Sequence, residues 1–246
     1  MGNYIEANVL YERVLFDDNN EENLMQGIKG KARCLKKINA FAKASDFLKQ
    51  NINLISTDSN KCKIFEDLIV CAYLSNNLNE AISLINQITI SYPRYINKNK
   101  LTLLHILSLN EEMKWQEAIA IYKQWLLTEK KDMTTAINTY SNIPKLKSKN
   151  KASWLSTFIP GGGAFYAKKP MEAIASIILQ SAGVAYGFFC FNTGYYISTF
   201  LVGGGMAGSF HNGGVRRSEE LINEYNKKVA VVFNENLKKE ILLIFQ

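Results

Sequence analysis

The sequence predicts an all-helical protein in which repeated helix pairs precede a two-helix transmembrane hairpin and an amphipathic C-terminal helix. Three observations predict this fold class. An alanine recurs every 37 residues through the first half of the chain. Residues 173–215 contain no Asp, Glu, Lys or Arg, and soluble helices seldom lack charge over such a length. Beyond residue 216, apolar residues stand at helical spacing among Glu and Lys, as in a helix with one buried face.

The repeat is centred on an alanine with bulky residues on either side of it. Its four copies are Ala7, Ala44, Ala81 and Ala118. A large apolar residue stands three positions before each alanine and another four positions after it, which places all of them on one helical face. A second amphipathic segment precedes the later alanines, so the unit is helix, tight turn, helix. We expect these alanines where two helices pack most closely.

The first unit is incomplete, because residues 4–16 have the pattern of a second helix without a first. A solenoid end of this kind exposes an apolar face. We therefore expect the natural gene product to extend upstream, with an export signal as one option.

The uncharged stretch is too long for one membrane crossing and contains a turn near its middle. Asn192, Thr193 and Gly194 separate two arms, residues 171–191 and 195–213. Each arm, as an α-helix, approaches the roughly 30 Å thickness of the hydrocarbon core. Since an open loop is costly in lipid, we predict an antiparallel hairpin with its turn at the far interface. The alternative is a glycine-rich hairpin buried in a soluble domain.

Two sets of residues suit such a hairpin. Small residues let helix backbones approach closely, while aromatic and basic residues suit the level of the lipid headgroups. The predicted helix-packing residues are Gly183, Gly187, Gly204 and Gly208. The predicted membrane-interface residues are Trp154, Tyr166, Lys168, Lys169, Tyr195, Tyr196, Arg216 and Arg217.

These features divide the chain into four predicted parts. They are a solenoid over residues 1–144, a basic linker and interfacial segment over 145–169, the hairpin over 170–214, and the amphipathic C-terminal helix over 215–246. The net charge of +7 is concentrated in the linker, where six lysines have no acidic residue among them. Lysines beside an apolar hairpin indicate contact with anionic lipid headgroups, worth about 1 kcal/mol each near the surface. Nucleic acid is disfavoured as a partner, because no binding fold or interleaved stacking aromatics accompany the lysines.

Two stretches resemble known families. The spacing of tetratricopeptide repeats is matched by Asn76, Leu78, Ala81, Ile85, Ile88 and Pro93. The period departs from the usual length of about 34 residues, and the Trp and Gly of that family's first helix are missing. Residues 160–169, from Pro160 to Lys169, resemble the P-G-x-G-x-x-Y motif of small bacterial two-helix membrane domains, with Ala167 where Gly is common. The combination is similar to membrane proteins of Bacteroidetes-like bacteria, which implies a multi-pass protein of the bacterial inner membrane and implies no catalytic residues.

No enzyme emerges from the motifs, and we expect no catalytic residue, cofactor or metal. Residues 203–208 match G-x-G-x-x-G, but a dinucleotide site needs a βαβ unit and this run lies inside an apolar arm. The four cysteines have neither C-x-x-C pairs nor zinc spacing. His211 leaves an intramembrane enzyme as a minor alternative.

We therefore expect a membrane-anchored protein-interaction scaffold that presents a repeat groove to another protein or peptide at the bilayer surface. The alternative is an assembly or transport accessory in which the glycine-rich hairpin is the active element, with an oligomer formed through that hairpin. Orientation stays open, because the lysines favour cytoplasmic ends whereas an upstream export signal would place the repeats outside.

Overall fold

The computed structural model describes residues 3–17 and 20–245. Within these ranges it contains helices and no strand, which confirms the all-α prediction. The helices are α1 Tyr4–Asp17, α2 Glu21–Lys37, α3 Phe41–Asn51, α4 Asp58–Leu74, α5 Leu78–Ser91, α6 Lys98–Glu111, α7 Trp115–Thr128, α8 Thr134–Thr139, α9 Lys149–Phe158, α10 Gly162–Tyr166, α11 Pro170–Asn192, α12 Tyr196–Ser198 and α13 Gly205–Phe245. A 3-10 turn (Ile52–Leu54) follows α3, and a π-helical segment (Thr199–Gly204) joins α12 to α13. Two compact units result, one from Met1–Ile143 with Asn234–Gln246 and one from Pro144–Phe233.

The first unit repeats one helix-turn-helix geometry three times. Asn39, Asn76 and Met113 lie 37 residues apart at the turns, and their φ angles are 58°, 61° and 59°. After each of them a backbone N–H returns to a carbonyl five residues earlier, as from Asn77 to Ala72 at 2.9 Å. This bond closes the helix end that a left-handed residue begins. The repeated sequence therefore produces a repeated backbone.

The core of the first unit contains three of the four repeated alanines. Ala44, Ala81 and Ala118 are completely buried, whereas Ala7 is half-buried. Helix α1 exposes Ile5, at 71%, together with Leu10 at 59%. The apolar face of α1 is thus partly uncovered in the described chain.

The C-terminal helix differs from the sequence division, which separated residues 215–246 from the second arm. Helix α13 runs without a break from Gly205 to Phe245, because neither Gly213 nor Gly214 ends it. Its last residues belong to the first unit. There Leu237 and Ile241 are buried, and the ring of Phe245 stacks on Trp125 with centroids 3.7 Å apart.

Candidate functional site

One helix in the described part of the chain, α11, is long and apolar enough to cross a membrane. It has 23 residues, and its most apolar stretch of 18 residues has a mean hydropathy of 1.7. Only 22% of that stretch is buried within the protein, whereas the core helix of a soluble protein is mostly buried. The second arm, predicted at residues 195–213, does not form a separate span of this kind. It is divided among α12, the π-helical segment and the start of α13.

The two arms are packed through small residues and expose their large ones. After α11 the chain turns back at Gly194, whose φ is 81°. The inner face of α11 buries Ala173, Gly183, Gly187 and Cys190. The exposed apolar side chains include Ile178, Val184, Phe188, Phe189, Ile197, Phe200 and Leu201. This distribution is the reverse of that in a water-soluble helical pair.

The glycines of the two arms do not all make the contacts that the sequence suggested. A Cβ atom at Gly183 would lie 3.0 Å from the backbone nitrogen of Ala207, and one at Gly187 would lie 3.4 Å from the Cα of Gly203. Gly204 meets only a carbonyl of its own segment, and Gly208 has open space around it. The prediction of Gly204 and Gly208 as packing residues is therefore corrected to Gly203 and Ala207. The helical phase of the π segment turns Gly203 inward.

A polar pair inside the hairpin was missed in the sequence. Gln180 is buried, and its side-chain nitrogen donates to the hydroxyl of Ser176 at 3.0 Å. A Cβ atom at Gly214 on α13 would lie 3.0 Å from the hydroxyl oxygen of Ser176, so α13 passes close to this pair. Both side chains belong to α11, so this hydrogen bond lies within one helix. Gln180 could have indicated this pair, because it is the one carboxamide between Glu172 and Asn192 in the sequence.

The open end of the hairpin is joined by an ion-pair cluster. The guanidinium of Arg217 on α13 donates to both carboxylate oxygens of Glu172 on α11, at 2.9 and 2.7 Å. Glu220 and Glu224 lie 2.9 and 3.5 Å from the same guanidinium. Hydrogen bonds to Glu172 and Glu220 raise the pKa of Arg217 above its ordinary value. The arms are thus fixed together where the charged part of the sequence resumes.

The Pro-Gly-Gly-Gly segment is a close-packed junction. Gly161 has a φ of 75°, and a Cβ there would lie 2.5 Å from the carbonyl oxygen of Ala173 on α11. A Cβ at Gly163 would lie 2.5 Å from Ser156 on α9 and from Ser218 on α13. Three helices therefore approach the segment so closely that no side chain fits at these glycines. The sequence predicted an interfacial segment here, and the structure places its glycines at a junction of three helices.

Lysines and tyrosines meet beside this junction. The Nζ of Lys147 lies 4.0 Å from the ring centroid of Tyr225 and 5.1 Å from that of Tyr166, and it donates to the Tyr166 carbonyl at 2.5 Å. Lys151 lies 5.4 Å from the Tyr166 ring, and Lys168 lies 5.9 Å from the Tyr225 ring. Lys147, Lys151, Lys168, Tyr166 and Tyr225 are called the lysine–tyrosine cluster below. Only Tyr166 and Lys168 were among the predicted interface residues.

The other predicted interface residues lie at separate places. Trp154 is exposed on α9 and stacks on Phe158 with centroids 5.1 Å apart. Tyr195 and Tyr196 are exposed beside the hairpin turn. The remaining three are Lys169 at the start of α11, and Arg216 and Arg217 beyond the second arm.

The first unit contains a groove of about 450 Å³ between α5, α6 and α7, lined by both apolar and polar side chains. Its lining includes the amides of Asn86, Asn99 and Gln124 and the ring of His105. The Asn99 side-chain oxygen accepts a hydrogen bond from Trp125 Nε1 at 2.9 Å, which keeps the other end of its amide available. Burial lowers the pKa of His105, and the charge of Glu117 opposes this effect.

Comparison of the chain with protein-family models, with curated proteins and with solved structures finds no match. Among the residues described, no group of three or more His, Cys, Asp or Glu side chains is arranged to hold a metal ion. The resemblances to tetratricopeptide repeats and to two-helix membrane domains therefore stay expectations, and function is argued from geometry.

Proposed function

We propose that this protein is a membrane-anchored interaction scaffold without enzymatic activity, in which a hairpin crosses the bilayer and a tetratricopeptide-like helical solenoid binds another polypeptide. One observation carries the proposal. The hairpin buries glycines between its arms and exposes large aliphatic and aromatic side chains on its outer faces. In water these faces would be strongly unfavourable, whereas in hydrocarbon they are solvated.

Both arms cross the bilayer in this proposal, although only α11 qualifies alone as a span. The second arm pairs with α11 through Gly187 and Gly203, so the two helices enter lipid together. The π-helical segment satisfies its backbone within the helix, as a membrane segment requires. The bacterial inner membrane is the location we propose, and anionic headgroups are the lipid partner of the basic residues at the open end.

The groove between α5, α6 and α7 supports the scaffold part of the proposal. Carboxamide side chains can bind both the N–H and the C=O of an extended peptide. Asn86 and Gln124 lie in this groove, and Asn99 offers its amide nitrogen there. An alternative is that the hairpin itself is the active element, as a membrane-assembly or transport accessory. Its favouring observation is the open space around Gly205 and Gly208, which leaves room for a second close-packed helix.

The membrane topology is tested with two introduced cysteines, Ser91→Cys at the end of α5 and Thr193→Cys at the hairpin turn. Both positions are exposed, whereas all four native cysteines are buried, so the wild-type chain is the background control. An impermeant maleimide applied to intact spheroplasts should label one position only, and the other should react after lysis. Labelling of both from one side, or release of the protein by alkaline carbonate, would refute the anchored hairpin.

The interaction role is tested by placing a photocrosslinking residue at Gln124 in the groove and, as a control, at Glu235 on the exposed face of α13. The scaffold proposal predicts a discrete crosslinked band in cells at Gln124 and none at Glu235. Equal crosslinking at both positions would show nonspecific contact. A third photocrosslinking position, Gly208 of the hairpin, tests the alternative. Crosslinks at Gly208 alone would favour the accessory role.

A further inference from the structure

The lysine–tyrosine cluster holds three positive charges, and no acidic group of the described residues forms an ion pair with them. Within residues 3–17 and 20–245, no carboxylate lies within ion-pair distance of Lys147, Lys151 or Lys168. The second unit does contain acidic residues, but three of its four are engaged with Arg217 and the fourth, Glu219, accepts from Ser153. The cluster is therefore a site of concentrated positive potential.

The cluster is built by dedicated contacts. Asn226 on α13 is buried, and its amide accepts a hydrogen bond from the Lys147 backbone N–H at 2.8 Å and donates to the Lys147 carbonyl at 2.9 Å. This pairing fixes Lys147 against α13, with its ammonium between the rings of Tyr166 and Tyr225. Partial burial lowers the pKa of Lys147, and the charge of Lys168 lowers it further. The negative charge of a bound anion would act in the opposite direction and raise this pKa.

Helix α9, which carries Lys151 of the cluster, has its lysines at the end farther from the hairpin. Its exposed aromatic residues lie at the end nearer to the hairpin. Helix α13 leaves the hairpin in the direction of increasing residue number. Lys147 pairs with Asn226, whereas Ser153 pairs with Glu219, seven residues nearer the hairpin. Helix α9 therefore runs toward the open end of the hairpin, and the exposed side chains of Trp154 and Phe158 follow its lysines in that direction.

This order matches the layers of a bilayer surface. Aromatic side chains favour the boundary between hydrocarbon and headgroups, and lysines extend from there into the headgroup layer. Helix α13 rises about 12 Å from Arg217 to Tyr225 at 1.5 Å per residue. The cluster thus lies a headgroup layer beyond the ion pair that joins the arms.

We propose that Lys151 and Lys168, positioned with Lys147 by the two tyrosine rings, bind the phosphodiester of an anionic phospholipid. The inference rests on the proposed membrane function and deepens it. The charge of the lysines selects the headgroup: phosphatidylglycerol binds and zwitterionic phosphatidylcholine, whose choline is repelled by the lysines, does not. The lipid is favoured over free phosphate because the apolar side chains of Trp154 and Phe158 lie beside the lysines to receive its acyl chains.

The test is native mass spectrometry of the full chain in nonionic detergent, with short-chain phosphatidylglycerol or phosphatidylcholine as the probe. The wild type should retain phosphatidylglycerol in preference to phosphatidylcholine. The Lys151→Gln/Lys168→Gln variant should bind phosphatidylglycerol roughly 25-fold more weakly, the effect of two lysines near an anionic surface. The control, Lys227→Gln/Lys228→Gln, removes two exposed charges from the same unit and should bind like the wild type.

Three results would overturn the inference. They are equal retention of the two lipids by the wild type, an equal loss in the control variant, and displacement of the lipid by glycerol phosphate as readily as by phosphatidylglycerol. Matching circular dichroism melts of the two variants would exclude misfolding as the cause of a loss. If the inference fails while the chain still resists carbonate extraction, the proposed anchored scaffold survives. If the chain is soluble without detergent, the proposed function itself fails.

Discussion

Gly187 and Gly203 face each other across the hairpin with only their backbones in contact. A Cβ at Gly187 would lie 3.4 Å from the Cα of Gly203, and one at Gly203 would overlap the Cα of Gly187. The neighbouring contact, Gly183 with Ala207, has the same character at 3.0 Å. Helices whose backbones approach this closely gain dispersion contacts that larger side chains at the same positions would prevent.

Gly203→Ala should destabilise the hairpin by about 1–3 kcal/mol, since the added methyl group meets backbone that cannot move aside cheaply. The matched control is Gly208→Ala, which adds the same methyl group in the same arm where the space is open. Thermal unfolding in detergent should show a lower midpoint for the first variant and an unchanged or slightly higher midpoint for the second. A larger loss at Gly208 would mean that the wrong face of the arm has been assigned to the contact.

Gly163→Ala should disrupt the junction of α9, α10 and α13. Its methyl group would lie 2.5 Å from the Ala152 carbonyl oxygen and equally close to Ser156 and Ser218. We expect a loss of about 1–3 kcal/mol from overpacking, and faster proteolysis between residues 145 and 165. Gly213→Ala has open space and serves as the comparison. Equal stability of the two variants would show that the junction is loosely packed.

Asn234→Ala should weaken the attachment of the C-terminal residues to the first unit. The Asn234 side chain accepts from Trp115 Nε1 at 2.9 Å and donates to the Asn110 carbonyl at 2.7 Å, and it is buried. Leaving such groups without this partner costs about 1–3 kcal/mol. Asn236→Ala, two residues away on the exposed face, should be nearly neutral. Hydrogen exchange of residues 234–245 is the measurement, and equal protection in both variants would contradict the assigned role.

Acidification should destabilise the first unit partly through His105. Burial lowers the folded-state pKa of this imidazole below 6.5, so the unfolded chain binds the proton more readily. Stability is then fully present above about pH 6.5 and is lost as the pH falls toward the folded-state pKa. His105→Gln should reduce the fall in unfolding midpoint between about pH 7.5 and about pH 5.5. Identical pH dependence in wild type and variant would rule out this contribution.

The periodicity of the sequence was sufficient to predict the helical units, because each unit depends on interactions between residues close together in the chain. The alanine with bulky neighbours defines a helix face at 3.6 residues per turn, and the left-handed turns at Asn39, Asn76 and Met113 follow at the same interval. The hairpin turn was equally local, since Gly194 takes a positive φ directly after Asn192 and Thr193 interrupt the apolar run. The sequence by itself thus determined the helical class, the repeat and the position of the turn.

Tertiary structure decided which of several equivalent small residues pack together. Gly203, Gly204 and Gly208 are alike in sequence, and only the phase introduced by the π-helical segment turns Gly203 toward Gly187. The same holds for Asn226 and Asn234, whose partners lie 79 and 119 residues away along the chain. Helical periodicity encodes contacts within a few residues, whereas these contacts depend on how the helices come to rest on one another.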